Sequence, residues 1–332
     1  MAEIFFSDDD YPPDFSLLDI RYDRIFKAVF TRSDPASQGA LSRLVSTLIG
    51  RDISIETISA NEPPIDNIND RQIRFDINCK TEGGELVNVE MCLNPASFEP
   101  IRLEYYTGIL FTGQDIRGSN FDYDNLMRAY QITILGKGHF FRDNEFFHTF
   151  EYYDHENSVT LDGKSRIITI ELSKLDKIVD KPSNEMTARE YWAVFFRYLT
   201  DKSKRVKINE IIKHDEGIAM ASEVLMHISK NWEERTRLVS ELKYELDMQS
   251  YRVNAERKGH QEGLEKGLQE GLEQGLEQGL EKGLEKGLEK GLEQGLEQGL
   301  EKGRMEMKQE MIELLKSGKS LEEIIAEAEN KT

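Results

Sequence analysis

Asp76 and Glu90 are the residues of this chain whose setting points most directly to chemistry. They lie in the run Gln72-Ile-Arg-Phe-Asp-Ile-Asn-Cys-Lys-Thr-Glu-Gly-Gly-Glu-Leu-Val-Asn-Val-Glu-Met-Cys-Leu93, where apolar and polar residues alternate on either side of Gly83-Gly84. Alternation at period two around a glycine turn predicts a β-hairpin. Ile73, Phe75, Ile77 and Cys79 share one face with Val87, Val89, Met91 and Leu93. Arg74, Asp76, Asn78 and Lys80 share the other with Asn88, Glu90 and Cys92. A turn centred on Gly83 sets Asp76 opposite Glu90, Asn78 opposite Asn88 and Arg74 opposite Cys92. A slip of one residue would send the two apolar sets to opposite faces, so the parity is specified. Directly opposed residues bring their Cβ atoms to roughly 4.5–5.5 Å, where like charges destabilise. Two carboxylates so placed need a shared proton or a cation between them. A hard divalent cation suits the place, because Mg²⁺ takes one or two carboxylates and leaves its other positions to water and phosphate. The plainer reading is a polar, solvent-facing hairpin that happens to carry two acids, as many antiparallel sheets do.

The wider sequence turns the balance away from that plainer reading. Asp23-Arg-Ile-Phe26-Lys27-Ala-Val-Phe30 resembles the opening "D-x-x-F-K-x-x-F" of the Rpn-type recombination-promoting nucleases, also described as PD-(D/E)XK family transposases. Arg74-Phe75-Asp76-Ile77, followed by Gly84-Glu-Leu-Val-Asn-Val-Glu90-Met91, resembles their hairpin block. Ile101-Arg102-Leu-Glu-Tyr105-Tyr106 is similar to their "R-x-x-Y-Y" helix, and a tail of glycines at every fourth position is also typical of them. The resemblance runs from about Asp19 through the tail.

It implies an α/β, restriction-endonuclease-like core with a mixed sheet flanked by helices, and a metal-dependent DNA endonuclease tied to recombination or mobile elements. It implies a divalent metal, Mg²⁺ before Mn²⁺ or Ca²⁺, held by Asp76, Glu90 and the backbone carbonyl of Met91. Asp23 joins that set because an acid from the first helix can enter the metal shell. The alternative for Asp23 is an i,i+4 ion pair with Lys27. One position departs from the pattern: where the superfamily has Lys, and this family often Gln, the chain has Cys92. A thiol neither stabilises an anion as an ammonium does nor donates as an amide does. Arg74, across the hairpin from Cys92, is the leading replacement, with Lys80 and Lys27 behind it. Arg102 is a candidate bidentate phosphate clamp; otherwise it pairs with a carboxylate while the tyrosines pack. The competing function is a nuclease-fold protein with weak or no catalysis that binds DNA or assembles.

Composition bounds these readings. The chain has 332 residues, 38% apolar and 32% charged, enough for a globular core with much polar surface. No apolar run is long enough to span a membrane, and Met1–Asp10 has neither the basic nor the apolar region of a signal peptide. Two cysteines on opposite hairpin faces make no disulfide framework. These features together point to the cytoplasm. The net charge of −19 weighs against tight, non-specific phosphate binding. Residues 259–303 hold −6 of it, and the remainder is still acidic.

Around the hairpin, the spacing predicts helices over Leu17–Phe30 and Ser37–Ile49, the latter closed by Gly50. A strand follows over Ile53–Ile58, then a loop over Asn61–Asp70. After the hairpin come a helix over Phe98–Leu110 and strands over Ala129–Leu135, Phe146–Tyr153 and Arg166–Leu172. Beyond Asp176 the pattern is helical: Thr187–Leu199, Arg205–Ile212, Gly217–Ser229 and Asn231–Ala255. No His-x-x-x-His pair, Gly-x-Ser-x-Gly elbow or P-loop is present. The expected organisation is a loose acidic arm (1–16), a nuclease-like domain (17–176), a helical region (177–258), a tetrapeptide repeat (259–303) and a short helical hairpin (304–332).

In the repeat, Gly recurs twelve times from Gly259 to Gly303, and Leu follows it ten times from Leu264 to Leu300. A period of four overshoots the 3.6 of an α-helix, so the leucine row winds around the axis and favours right-handed supercoiling. Glycine costs roughly 1 kcal/mol per site against Ala in a helix. The repeat therefore reads as a partly helical spacer, with self-association into a homo-oligomer or coiled coil next. Ser320 and Glu323 form a capping box for a final short helix.

Overall fold

The computed structural model describes residues 16–59, 76–114, 122–318 and 320–329. The chain divides into two units, 1–247 and 248–332. The first holds a six-stranded sheet built from β1 (Ile55–Ser59), β2 (Ile77–Thr81), β3 (Leu86–Cys92), β4 (Ala129–Leu135), β5 (Phe147–Phe150) and β8 (Ser165–Glu171). The strand order is β1-β2-β3-β4-β8-β5, and β6 (Tyr153–Asp154) with β7 (Val159–Thr160) makes a separate ribbon. The pairs β1–β2, β2–β3 and β5–β8 are antiparallel, whereas β3–β4 and β4–β8 are parallel. The expected α/β class with a mixed sheet is therefore what the chain adopts.

The hairpin has the register read from its turn. Ile77 pairs with Val89, Asn78 with Asn88 and Cys79 with Val87. Gly84 supplies the turn with φ of 85°, a left-handed conformation that a glycine enters without strain. Arg74 and the rest of the strand before Asp76 lie outside the described residues, as do most of the N-terminal arm and the Asn61–Asp70 loop.

The two faces of the sheet differ in kind. One carries Ile77, Cys79, Val87, Val89, Met91, Tyr130, Ile132, Ile134, Ile168 and Ile170, all in the main core. That face packs against α1 (Asp23–Phe30), α2 (Pro35–Ile49), α4 (Ala188–Tyr198) and α6 (Glu216–Lys230). Phe26, Phe30, Trp192 and Phe196 meet there with ring centroids 4.9–6.3 Å apart, so helices 160 residues apart in sequence share one aromatic cluster. The other face is covered by α3 (Glu99–Thr112), which lies over β3, β4 and β8.

That cover overturns the plainer reading of the hairpin. Asp76, Asn88 and Glu90 are buried, not solvated. The cause is the parallel β3–β4 connection: its crossover returns through α3, which must lie on a face of the sheet. The first helix also starts later than its periodicity predicts. Leu18 and Ile20 are buried but precede α1, because the Asp19 side chain accepts from the backbone and guanidinium of Arg21 and holds a turn there. Asp23 thus falls in the first turn of α1. The strand expected over Phe146–Tyr153 is broken after Phe150, with Tyr153 passing to the ribbon. α5 (Arg205–His214) completes the helical layer beside α4 and α6.

The long helix α7 (Trp232–Lys316) begins in the first unit, where Leu238 is buried, and continues through the repeat. In the second unit α7 ends before Gly318 (φ 88°), and α8 (Leu321–Glu329) follows with Glu323 accepting from the Ser320 backbone N–H. No helix among the described residues is long and apolar enough to cross a membrane.

Candidate functional site

Extending the β2–β3 ladder by one residue sets Asp76 opposite Glu90, and both are buried. Asp76 Oδ2 accepts from the backbone N–H of Met91 at 3.1 Å, which ties the first acid to the second strand. A strand residue directs its N–H and C=O to the same edge, and Cys92 gives its carbonyl to Gly136 on the other side. The Met91 carbonyl therefore lies on the β2 edge, beside Asp76.

α1 delivers two more groups. Lys27 Nζ stands 3.1 Å from Asp76 Oδ1 and 3.0 Å from each oxygen of Asp23. Only Asp23 Oδ2 is aligned to accept; Oδ1 is buried without a hydrogen bond. The i,i+4 spacing within α1 makes the Asp23–Lys27 pair, and the packing of α1 on the sheet brings it to Asp76. Both alternatives for Asp23 thus meet at one place: it pairs with Lys27 and it adjoins the hairpin acids.

α3 closes the site from above. Arg102 reaches Glu90 Oε1 at 2.8 Å and Glu99 Oε1 through Nη2 at 2.5 Å and Nε at 2.8 Å. Its guanidinium also stands 5.4 Å from the Tyr106 ring centroid. Arg102 is therefore a carboxylate partner as the structure stands. The tyrosines do not join the core: Tyr105 is 59% exposed and Tyr106 half-buried. From β4, Gln131 Nε2 donates to Glu90 Oε2 at 3.3 Å.

Burial and crowding govern the electrostatics. Burial chiefly, with repulsion from Asp23 and Glu90 against attraction from Lys27, pushes Asp76 up to about 8. Burial, relieved in part by Arg102, pushes Glu90 up to about 7. Lys27 is held above its ordinary value by the two aspartates despite its burial. Burial pushes the Cys92 thiol up to about 12, so it is a neutral group two residues beyond Glu90.

Among the described residues no group of three or more His, Cys, Asp or Glu side chains is set to hold a metal ion as the side chains stand. Lys27 and Arg102 occupy the carboxylate oxygens that an ion would use. The donor chemistry fits a hard divalent cation nonetheless: carboxylates, a backbone carbonyl nearby, and an Asp23 oxygen left without a hydrogen bond.

The structure thus brings together Asp76, Glu90, Met91, Cys92, Asp23, Lys27 and Arg102. Lys80 is not among them. It lies four residues along β2 from Asp76, about 13 Å away at strand rise, and pairs with Glu56 at 3.4 Å. Arg74 lies outside the described residues. Sequence reasoning missed Glu99, Asn88, Gln131 and Thr133. The signal for the last two was present: Gln131 and Thr133 alternate with Tyr130, Ile132 and Ile134 in a strand buried on both faces.

An acid pair is thus carried on an antiparallel hairpin of the mixed sheet and backed by an acid and a lysine from the first helix. Residues 20–255 match the family model for PD-(D/E)XK nuclease family transposases, and the chain belongs to that family. Neither the curated proteins nor the solved structures contain a match. The family match spans the sheet, α1 to α6 and the start of α7, so it treats the hairpin domain and the helices after it as one unit.

Proposed function

We propose that the protein is a metal-dependent DNA endonuclease that hydrolyses phosphodiester bonds at the Asp76–Glu90 centre. The observation that carries this reading is a charge balance. Four carboxylates, Asp23, Asp76, Glu90 and Glu99, are neutralised among the described residues by two cations, Lys27 and Arg102. When all four are ionised the deficit equals the charge of one divalent cation; without an ion, protons held by Asp76 and Glu90 make it up. Asp76, Glu90, the Met91 carbonyl and Asp23 are the groups that would hold it, with Mg²⁺ favoured over Mn²⁺ or Ca²⁺. Bound there, the ion acidifies an attacking water and neutralises charge on the phosphate.

The remaining roles fall to the chain's own side chains. Lys27 supplies the ammonium that the superfamily pattern places where Cys92 stands, because its Nζ already lies 3.1 Å from Asp76. Arg102, freed from Glu90 by an ion, is within reach of a phosphate at the same place. Arg74 keeps its candidacy as a second cation across from Cys92, and Lys80 is left to contact DNA away from the scissile bond. DNA is the partner, and recombination or mobile-element biology the setting that the family offers. Self-association through the repeat and a cytoplasmic location belong to the same reading, as does a nuclease-like domain (17–176) whose following helices (177–258) pack on its core, with the repeat beyond them.

The neutral Cys92 favours a second reading, in which the fold binds DNA or assembles with little catalysis. Incubating the full chain with supercoiled plasmid and Mg²⁺, Mn²⁺ or Ca²⁺ decides between them, with Asp76→Ala/Glu90→Ala alongside. The expected result is metal-dependent nicking that the double variant lacks. Equal cutting by both would expose a contaminating nuclease, and no cutting with any metal would move the assignment to the second reading.

A further inference from the structure

Gln131 is a fully buried amide in a strand whose other face carries Tyr130, Ile132 and Ile134. Its Nε2 donates to Glu90 Oε2 at 3.3 Å and to Thr133 Oγ1 at 3.1 Å, and its Oε1 accepts from Asn88 Nδ2 at 2.9 Å. The parallel register explains the grouping: Asn88 pairs with Gln131 and Glu90 with Thr133, so four side chains on two neighbouring strands form one patch. Glutamine has a single acceptor oxygen. With Asn88 donating to it, the NH₂ must point at the carboxylate.

The patch is a costly way to fill a core. Burying amides is unfavourable unless every polar atom is bonded. Asn88 Oδ1 is buried and has no hydrogen-bond partner. An apolar pair at these positions would be the cheaper choice for stability, as Val87 and Ile132 are next door. What the amides accomplish is to fix one oxygen of Glu90. Arg102, which is part-exposed, holds the other. Arg102 can swing out without breaking the sheet, whereas Gln131 cannot leave Glu90 Oε2 without orphaning several buried groups.

We infer that Gln131, keyed by Asn88, is a positioning residue of the metal site: it pins Glu90 Oε2 so that Oε1 alone is presented to a divalent cation. The inference rests on the metal-dependent reading above. Partners that orient a ligand in this way typically change metal affinity 10- to 100-fold when removed.

The test uses the full chain and measures metal binding without turnover. Ca²⁺ and Mg²⁺ are titrated by calorimetry and by the metal-induced rise in Tm, for wild type, Gln131→Leu and the all-apolar double variant Asn88→Val/Gln131→Leu. The expected result is a binding midpoint raised about tenfold in both variants, with the double variant melting no lower than wild type before metal is added. A structural role predicts the reverse, a lower Tm with an unchanged midpoint, and that result overturns the inference. Should the double variant not fold, Gln131→Met, close in shape to glutamine, is judged by the same midpoint. A wild-type chain that binds neither ion sinks the metal reading itself and this inference with it. A wild type that binds while the variants bind equally well sinks this inference alone.

Discussion

Glu90 and Asp76 are buried acids whose ordinary charge is resisted by their surroundings, and this fixes a sign for the effect of pH. Their folded-state pKa values are raised, to about 7 and about 8. Between about pH 4 and those values the folded chain keeps protons that an unfolded chain has released. Stability is therefore greatest at the acid end of that window and falls as pH rises through it. Thermal unfolding in chelator, followed from pH 5 to 8.5, should show Tm declining, and added Mg²⁺ or Ca²⁺ should flatten the decline. A Tm that rises with pH over this range would refute the balance described. Arg102 offers a second check. Arg102→Ala strips the guanidinium from Glu90 and Glu99, two acids that are themselves nearly inaccessible. Breaking one side of a buried pair costs 3–5 kcal/mol, and the partial exposure of Arg102 reduces this to about 2 kcal/mol. Because an ion takes the place of the lost cation, Mg²⁺ should stabilise Arg102→Ala more than wild type in the same melting experiment. Equal metal-induced shifts would argue that Arg102 and the ion do not share Glu90. The acids themselves were legible in the sequence, since strand alternation and the glycine turn set Asp76 against Glu90. Their escorts were not. Glu99 comes from α3, whose place over the hairpin no local pattern encodes, and the alternation that singles out Gln131 in β4 does not say which strand β4 will pair with.

At the scale of elements, the legible parts were those with their own punctuation. α2 ends at Gly50, in the left-handed conformation with φ of 88°, as expected of a helix-terminating glycine. The α4 boundary is set by a capping box between Thr187 and Glu190. β4 runs over Ala129–Leu135 as its β-branched content predicts. The beginning of α1 was missed because the apolar spacing of Leu17 and Ile20 continues that of the helix, while the turn at Asp19 depends on one side chain. The packing of α2 on α6 was not legible either, and it rests on two glycines of different standing. A Cβ built at Gly217 would lie 2.4 Å from Arg43 Cβ and 3.0 Å from Trp192 Cζ2, atoms that cannot move without shifting the helix or the aromatic cluster. A Cβ at Gly39 would meet the Met220 sulfur at 2.6 Å, the end of a flexible side chain. Overpacking a fixed core typically costs 1–3 kcal/mol, whereas Gly→Ala inside a helix returns about 1 kcal/mol. Gly217→Ala should thus lower Tm by several degrees, and Gly39→Ala should leave it nearly unchanged. Matching losses in the two variants would show that the α2–α6 contact is not as specific as the geometry indicates.

At the scale of the whole molecule, the repeat region raises the question of what keeps α7 helical. From Gly259 to Gly303 none of the glycines has another atom near the position of a missing Cβ, so none is required by packing within the chain. The leucines that follow them are 59–75% exposed, so their burial contributes little within one chain. Consecutive repeats also place Glu four residues from Glu, from Glu273 to Glu301, and like charges at i,i+4 weaken a helix. Against a propensity loss of about 1 kcal/mol per glycine, a single-chain helix here is the weakest element of the molecule, although its Leu, Glu, Gln and Lys are good helix formers. Two consequences can be measured. On heating, circular dichroism at 222 nm should show an early, shallow loss of helix from the repeat, followed by the cooperative unfolding of the sheet domain. Replacing Gly275, Gly279, Gly283 and Gly287 by Ala should move the early loss to higher temperature and leave the later transition where it was. Dilution separates the two sources of helix that remain. If leucine rows of separate chains bury one another, the early transition will move with protein concentration and the mass in solution will exceed that of one chain. If the transition is independent of concentration, the helix is a property of the single chain and the repeat acts as a spacer. A single transition that carried sheet and repeat together would contradict this account, in which the exposed leucines of the repeat leave its helix to melt first.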